Sequence, residues 1–134
     1  MKKVVLDTNV IISALFWKGN PRKVYDLIRQ GMLVMLLSDD MEKEFIRVLG
    51  YEKFGLSPQE MMPFLRDLRT HARHVETNSK ISAVIVDPSD NIFRECALDG
   101  NADFIISGDK HLLEIGVFRG IKIVRAGEFL SAHS

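Results

Sequence analysis

Short apolar runs that break off on a small polar residue and an aspartate recur along this 134-residue chain, and they limit its fold more than any other feature. Phe104-Ile105-Ile106 runs into Ser107-Gly108-Asp109, and Val4-Val5-Leu6 runs into Asp7-Thr8-Asn9. Uninterrupted apolar runs of this length read as strands buried on both faces. Segments with apolar residues at helical spacing stand between them, so strand alternates with helix. Parallel neighbours need crossovers, and right-handed helices supply them, which predicts an α/β fold with a parallel sheet. In an open sheet of that kind the strand C-termini line one edge, where ligands bind.

Local signals mark the remaining elements. Val10 to Phe16 forms a short helix, and Asn20 followed by Pro21 reads as a cap and first turn for a helix ending at Gly31. Leu33 to Leu37 is a strand. Ser38 and Asp39 cap a helix through Leu49 with Met41, Phe45, Val48 and Leu49 as its buried stripe. Ser57-Pro58-Gln59-Glu60 has the form of a capping box and opens a helix ending near Ala72. Val75 belongs to a short edge strand, and Ala83 to Val86 is a strand or an apolar approach to the next motif. Asp87-Pro88-Ser89-Asp90-Asn91 starts another helix, closed by Asp99-Gly100-Asn101. A short helix at Leu112 to Ile115, a strand at Ile121 to Val124 and a helical turn at Glu128 to Ala132 complete the chain.

With 46% apolar residues, the expectation is one domain over 1–134 around one core. No stretch approaches the roughly 18 apolar residues a bilayer span requires, and the chain opens directly on a strand, so a soluble, cytoplasmic protein without membrane contact is expected. The single cysteine, Cys96, has no disulfide partner and reads as a reduced thiol packed in a helix. With 18 basic and 18 acidic residues, no global field draws the chain to a polyanion, so such binding has to come from local groups or a metal.

Asp7, Asp87, Asp90 and Asp109 all stand at expected helix starts, where a carboxylate is favoured simply as a cap. For Asp87, before Pro88, capping suffices. Asp7, Asp90 and Asp109 share a second property: each lies beside the end of an apolar segment heading the same way through the sheet. Carboxylates gathered in one place repel and raise one another's pKa unless a cation sits among them. All-oxygen donors with no zinc-like histidine spacing favour Mg²⁺ or Mn²⁺. On the 39–49 helix, Glu42 and Glu44 flank the apolar stripe at similar angles, and periodicity does not choose between them. Arg66, Arg69 and Arg73 fall on one face if their helix continues that far, with a solvated charged face as the simpler reading.

Val4 to Val10, Ser38 through Glu44 to Leu49, Asp87 to Asn91 and Ile106 to Leu113 resemble, in order, the four signature blocks of the PIN domain family. The chain is most similar to the small VapC-like toxin components of prokaryotic toxin–antitoxin systems. Glu44 to Leu49, Tyr51-Glu52-Lys53-Phe54-Gly55 and Glu128-Phe129-Leu130 extend that likeness. The resemblance implies a three-layer α/β/α sandwich with a central parallel sheet of four or five strands. It also implies a metal-dependent ribonuclease that leaves a 5′-phosphate and a 3′-hydroxyl. Carried over block by block, the family's acids are Asp7, Glu44, Asp90 and Asp109, which selects Glu44 over Glu42. All four are expected as Mg²⁺ or Mn²⁺ ligands and catalytic groups, with Asn9, Asn91 and Ser107 positioning the carboxylates. Ser107 replaces the family's usual threonine, and Ser89 a frequent aspartate. An RNA substrate, a small antitoxin and a homodimer are the implied partners, with Trp17, Phe54, Met61 and Met62 as apolar surface unless they are core. The alternatives are a nuclease acting on DNA and a non-catalytic binding module of the same fold.

Overall fold

The computed structural model describes residues 1–78 and 90–133, apart from the side chains of Glu52 and Asp90. The expected segment at 83–86 and the cap at Asp87 lie outside the described residues.

The chain begins with strand β1 (Lys3–Leu6), followed by helices α1 (Thr8–Phe16) and α2 (Asn20–Arg29). Strand β2 (Val34–Leu37) leads into helix α3 (Asp39–Leu49), a 3-10 turn at Glu52–Phe54, helix α4 (Pro58–His71) and strand β3 (Ala72–His74). Helix α5 (Asp90–Asp99) precedes strand β4 (Phe104–Ile106) and helix α6 (Lys110–Ile115). The chain then forms strands β5 (Val117–Phe118) and β6 (Ile121–Val124), and ends in helix α7 (Ala126–Ala132).

One sheet runs β3-β2-β1-β4-β6-β5. Among the described residues every pairing is parallel except β5 with β6, giving five parallel strands and a two-residue antiparallel edge. The antiparallel strand was not expected, because two residues carry no periodicity. It arises where Arg119 and Gly120, both at positive φ, fold the chain back on itself. Val4, Val5 and Leu6 are all fully buried, as are Ile105 and Ile106, so side chains pointing both ways from the central strands are covered. The outer strand β6 instead alternates buried and exposed residues.

Chain order reverses direction at β1. From there the chain builds outward through β2 and β3, then crosses to the other side for β4 and β6. The crevice beyond the C-terminal ends of β1 and β4 is therefore the topological switch point of the sheet, where such folds place ligands. Register sets the two strands level, with Val4 opposite Phe104 and Leu6 opposite Ile106. The Asp7 amide continues the ladder by donating to the Ile106 carbonyl at 3.1 Å.

Helix ends follow the capping signals closely. Ser38 accepts from the Met41 amide, and Ser57 and Glu60 form the full capping box. Asn20 is the first helical residue rather than the cap; Gly19 takes that position. Helix α4 stops at His71, one residue short of the expected end near Ala72, so Arg73 lies in β3 and does not join Arg66 and Arg69 on one helix face. Arg69 instead pairs with Glu42. Trp17 and Met62 are exposed, whereas Phe54 and Met61 pack against the core. Cys96 is a buried free thiol, pushed up to about 12 by burial, with the charge of Asp99 adding to the shift. Among the described residues, no helix is long and apolar enough to cross a membrane.

Candidate active site

A cleft of about 250 Å³ opens at the switch point, and Asp7, Glu44 and Asp109 all line it. Each arrives from a different element. Asp7 follows β1 and caps α1, its Oδ1 accepting from the Val10 amide at 2.8 Å. Asp109 follows β4 and caps α6, its Oδ1 accepting from the amides of His111 at 2.8 Å and Leu112 at 3.1 Å. Glu44 stands midway along α3, which packs against α1 and α5. Glu42, two residues earlier, points away to Arg69 of α4, so tertiary packing separates the two glutamates that periodicity left equivalent.

Ser107 ties the two aspartates together. Its hydroxyl donates to Asp7 Oδ2 and accepts from the Asp109 amide at 2.9 Å. Both Ser107 and Asp7 are buried. Burial pushes the Asp7 carboxyl above its ordinary range, and the nearby charge of Asp109 adds to this. The hydrogen bonds from Ser107 and Val10 pull the other way without cancelling it. Asp7 is thus a desolvated acid facing a second acid. The buried hydroxyl of Thr8, which also lines the cleft, has no hydrogen-bond partner among the described residues.

These features fit a divalent cation by the chemistry of the donor set. The groups are oxygens, negative in sum, and incompletely neutralised by the protein. Among the described residues, however, no three acidic, histidine or cysteine side chains stand close enough to hold an ion together. Glu44 is drawn aside by Arg47, one turn along α3, with which it forms a salt bridge. Asp90 begins α5 in its main chain, one turn before Phe93 of the cleft wall, while its side chain lies outside the described residues. Asn9 lines the cleft; Asn91 Oδ1 accepts from Arg94 at 2.8 Å.

A model described as the PIN domain matches residues 3–111, most of the chain. The chain belongs to the PIN domain family. This PIN domain is 33% identical over 123 residues to the uncharacterized protein MJ1680 of Methanocaldococcus jannaschii, covering 84% of the chain and 74% of that relative. Its fold is similar to that in the crystal structure of VapBC2 from Rickettsia felis bound to a DNA fragment from their promoter. The TM-score is 0.58 at 12% identity, with 90% of this chain and 96% of that one covered.

The cleft also contains residues to which the sequence pattern assigns no role. Arg47, Tyr51 and Lys53 form its outer wall. Arg47 could have been found from its i, i+3 spacing to Glu44. Tyr51 and Lys53 are prominent in sequence only as part of the family likeness, because a residue beyond the end of a helix has no periodic signal to place it.

Proposed function

We propose that this PIN domain is a Mg²⁺- or Mn²⁺-dependent ribonuclease and the toxin of a toxin–antitoxin pair. One observation carries the reading: acids from three separate elements, Asp7, Glu44 and Asp109, line one cleft at the sheet's switch point, two of them tied by a buried serine. Asp7, Asp109 and Asp90 would hold the ion, with Glu44 beside them. When bound, the ion supplies positive charge to the phosphodiester and lowers the pKa of water at the site. Ser107 keeps the Asp7 and Asp109 loops in register, so the two carboxylates need not reorganise when a ligand arrives. The Arg47 guanidinium is well exposed whereas the Glu44 side chain is mostly buried, so Glu44 leaves Arg47 when an incoming ion supplies the positive charge in its place. It can then accept a proton from attacking water or hold that water by hydrogen bonding.

The neighbour solved as VapBC2 with promoter DNA supports an antitoxin partner for this chain as well. A homodimer and a cytoplasmic setting belong to the same proposal, as does a single domain over 1–134. The Glu44–Arg47 pair favours one competing reading, a binding module in which a protein cation already neutralises part of the acid set.

The test is cleavage of a mixed-sequence single-stranded RNA pool, with single-stranded DNA in parallel, in Mn²⁺ and in EDTA. Wild type should cut RNA only with metal and leave 5′-phosphates, and Asp7→Asn and Glu44→Gln should each lose more than about 100-fold, beyond what removing an orienting group does. Cleavage of DNA with RNA intact would replace the substrate class. Stabilisation by Mn²⁺ without cleavage of either would favour the binding module.

A further inference from the structure

The outer wall of the cleft differs chemically from its floor. The floor is acidic, with Asp7 and Asp109, whereas the wall carries Arg47, Tyr51 and Lys53. Of the two tyrosines in the chain, Tyr25 is fully buried and Tyr51 is 40% exposed. Arg47 Nη1 donates to the Tyr51 hydroxyl at 2.5 Å, so the guanidinium sits at the oxygen end of the ring, its carbon 5.6 Å from the ring centroid. The Lys53 ammonium lies 6.0 Å from the Tyr51 centroid and 5.2 Å from that of Phe54. Among the described residues, no carboxylate pairs with Lys53.

We propose that Arg47, Tyr51 and Lys53 form a subsite that holds one unpaired nucleotide of a single strand, its base stacked on the Tyr51 ring and its flanking phosphates on Lys53 and Arg47. The inference rests on the cleft being a phosphodiester site, as argued above, and adds to it how the strand is gripped.

Three physical points support it. A polyanion is repelled by the carboxylate floor, and the chain's net charge is zero, so attraction has to come from cations at the site itself. The Arg47 side chain is well exposed, and a phosphate can take the place of Glu44 on its guanidinium with a bidentate contact. Stacking on an exposed ring requires a base with a free face, which a duplex does not present, so the subsite selects single strands without reading sequence. The residues are also in line with the acids. Glu44, Arg47 and Val48 follow one another at i, i+3 and i+4 on α3, and Tyr51 is joined to Arg47 by its hydroxyl, so the strand's path from wall to floor runs along one side of α3.

The experiment is fluorescence anisotropy of a labelled ten-nucleotide single-stranded RNA and of the matching duplex, in EDTA so that nothing is cut. Tyr51→Leu should weaken single-strand binding about 10-fold and leave duplex binding unchanged, and Tyr51→Trp should restore it. Lys53→Ala should weaken binding and reduce the slope of log affinity against log salt by about 0.7. Thermal unfolding confirms that each variant is folded, which the exposure of Tyr51 favours. Wild-type affinity in Tyr51→Leu, equal losses on single strand and duplex, or an unchanged salt slope in Lys53→Ala overturns the subsite. Failure of cleavage in Mn²⁺ would instead overturn the nuclease reading and leave these binding results as measured.

Discussion

Asp7 and Asp109 act as helix caps, and that role is compatible with a role in the cleft. Asp109 spends one oxygen on two amides, and its Oδ2 takes no hydrogen bond among the described residues. Asp7 divides its oxygens between the Val10 amide and Ser107. Asp7 also carries a burial penalty that its hydrogen bonds do not remove. Asp7→Asn keeps the Val10 cap and removes the buried charge, while the atom that accepts from Ser107 becomes a donor, so the metal-free protein should melt no lower than wild type while nuclease activity is lost. A melting curve in EDTA beside a cleavage assay checks both halves. At Ser107, alanine removes the donor to a buried carboxylate and should cost about 2 kcal/mol in urea unfolding and roughly 10–100-fold in cleavage. Threonine retains the hydroxyl and should restore most of both.

At the scale of elements, two contacts decide how the helices seat. Gly100 closes α5 where a Cβ would stand 2.6 Å from Leu36 Cδ1 and 3.0 Å from Val75 Cγ2. Its neighbours are buried core, so Gly100→Ala should destabilise by about 1–3 kcal/mol through overpacking, measurable as a lower urea midpoint with unchanged m-value. The second contact joins α2 to α4, where Tyr25 donates to Asp67 Oδ2 at 2.7 Å and Arg29 donates to the same oxygen at 2.8 Å. Tyr25 is fully buried, and Tyr25→Phe should cost about 1.5 kcal/mol by urea unfolding. Burial alone would raise the Asp67 pKa, but the bonds from Arg29 and Tyr25 and the charges of Arg29 and His71 outweigh it and hold it below the ordinary value. A carboxyl depressed in the folded state contributes stability above its unfolded pKa of about 3.9 and loses it as pH falls through the folded value. The stability gap between wild type and Asp67→Asn should therefore be constant near neutrality and shrink below about pH 4. Most element ends were legible from caps and breakers. The end of α4 was among them, at His71 against an expected end near Ala72, whereas the pairing of β3 with β2 that follows it is a long-range event that no local signal reports.

For the whole molecule, a cation bound at the acids as proposed should add stability. Mn²⁺ at about 100 times its Kd should stabilise wild type by about 2.7 kcal/mol, and Asp7→Asn should show little of this shift in a metal titration followed by thermal unfolding. The order of strands, helices and caps was readable from the chain because those preferences reside within a few residues of one another: apolar runs, capping boxes, glycine breaks. Which acids share a cleft was not local information. Ser107 binds Asp7 across 100 positions, and the helical period left Glu42 and Glu44 equivalent; the family likeness chose Glu44, and the fold separates them physically by pairing Glu42 with Arg69 of α4. The wall formed by Arg47, Tyr51 and Lys53 depended in the same way on where α3 ends and how it packs against α1, α4 and α5. Local propensity acts over a turn or a strand, whereas a site is made by packing, and packing is settled by surfaces that meet only after the chain has folded.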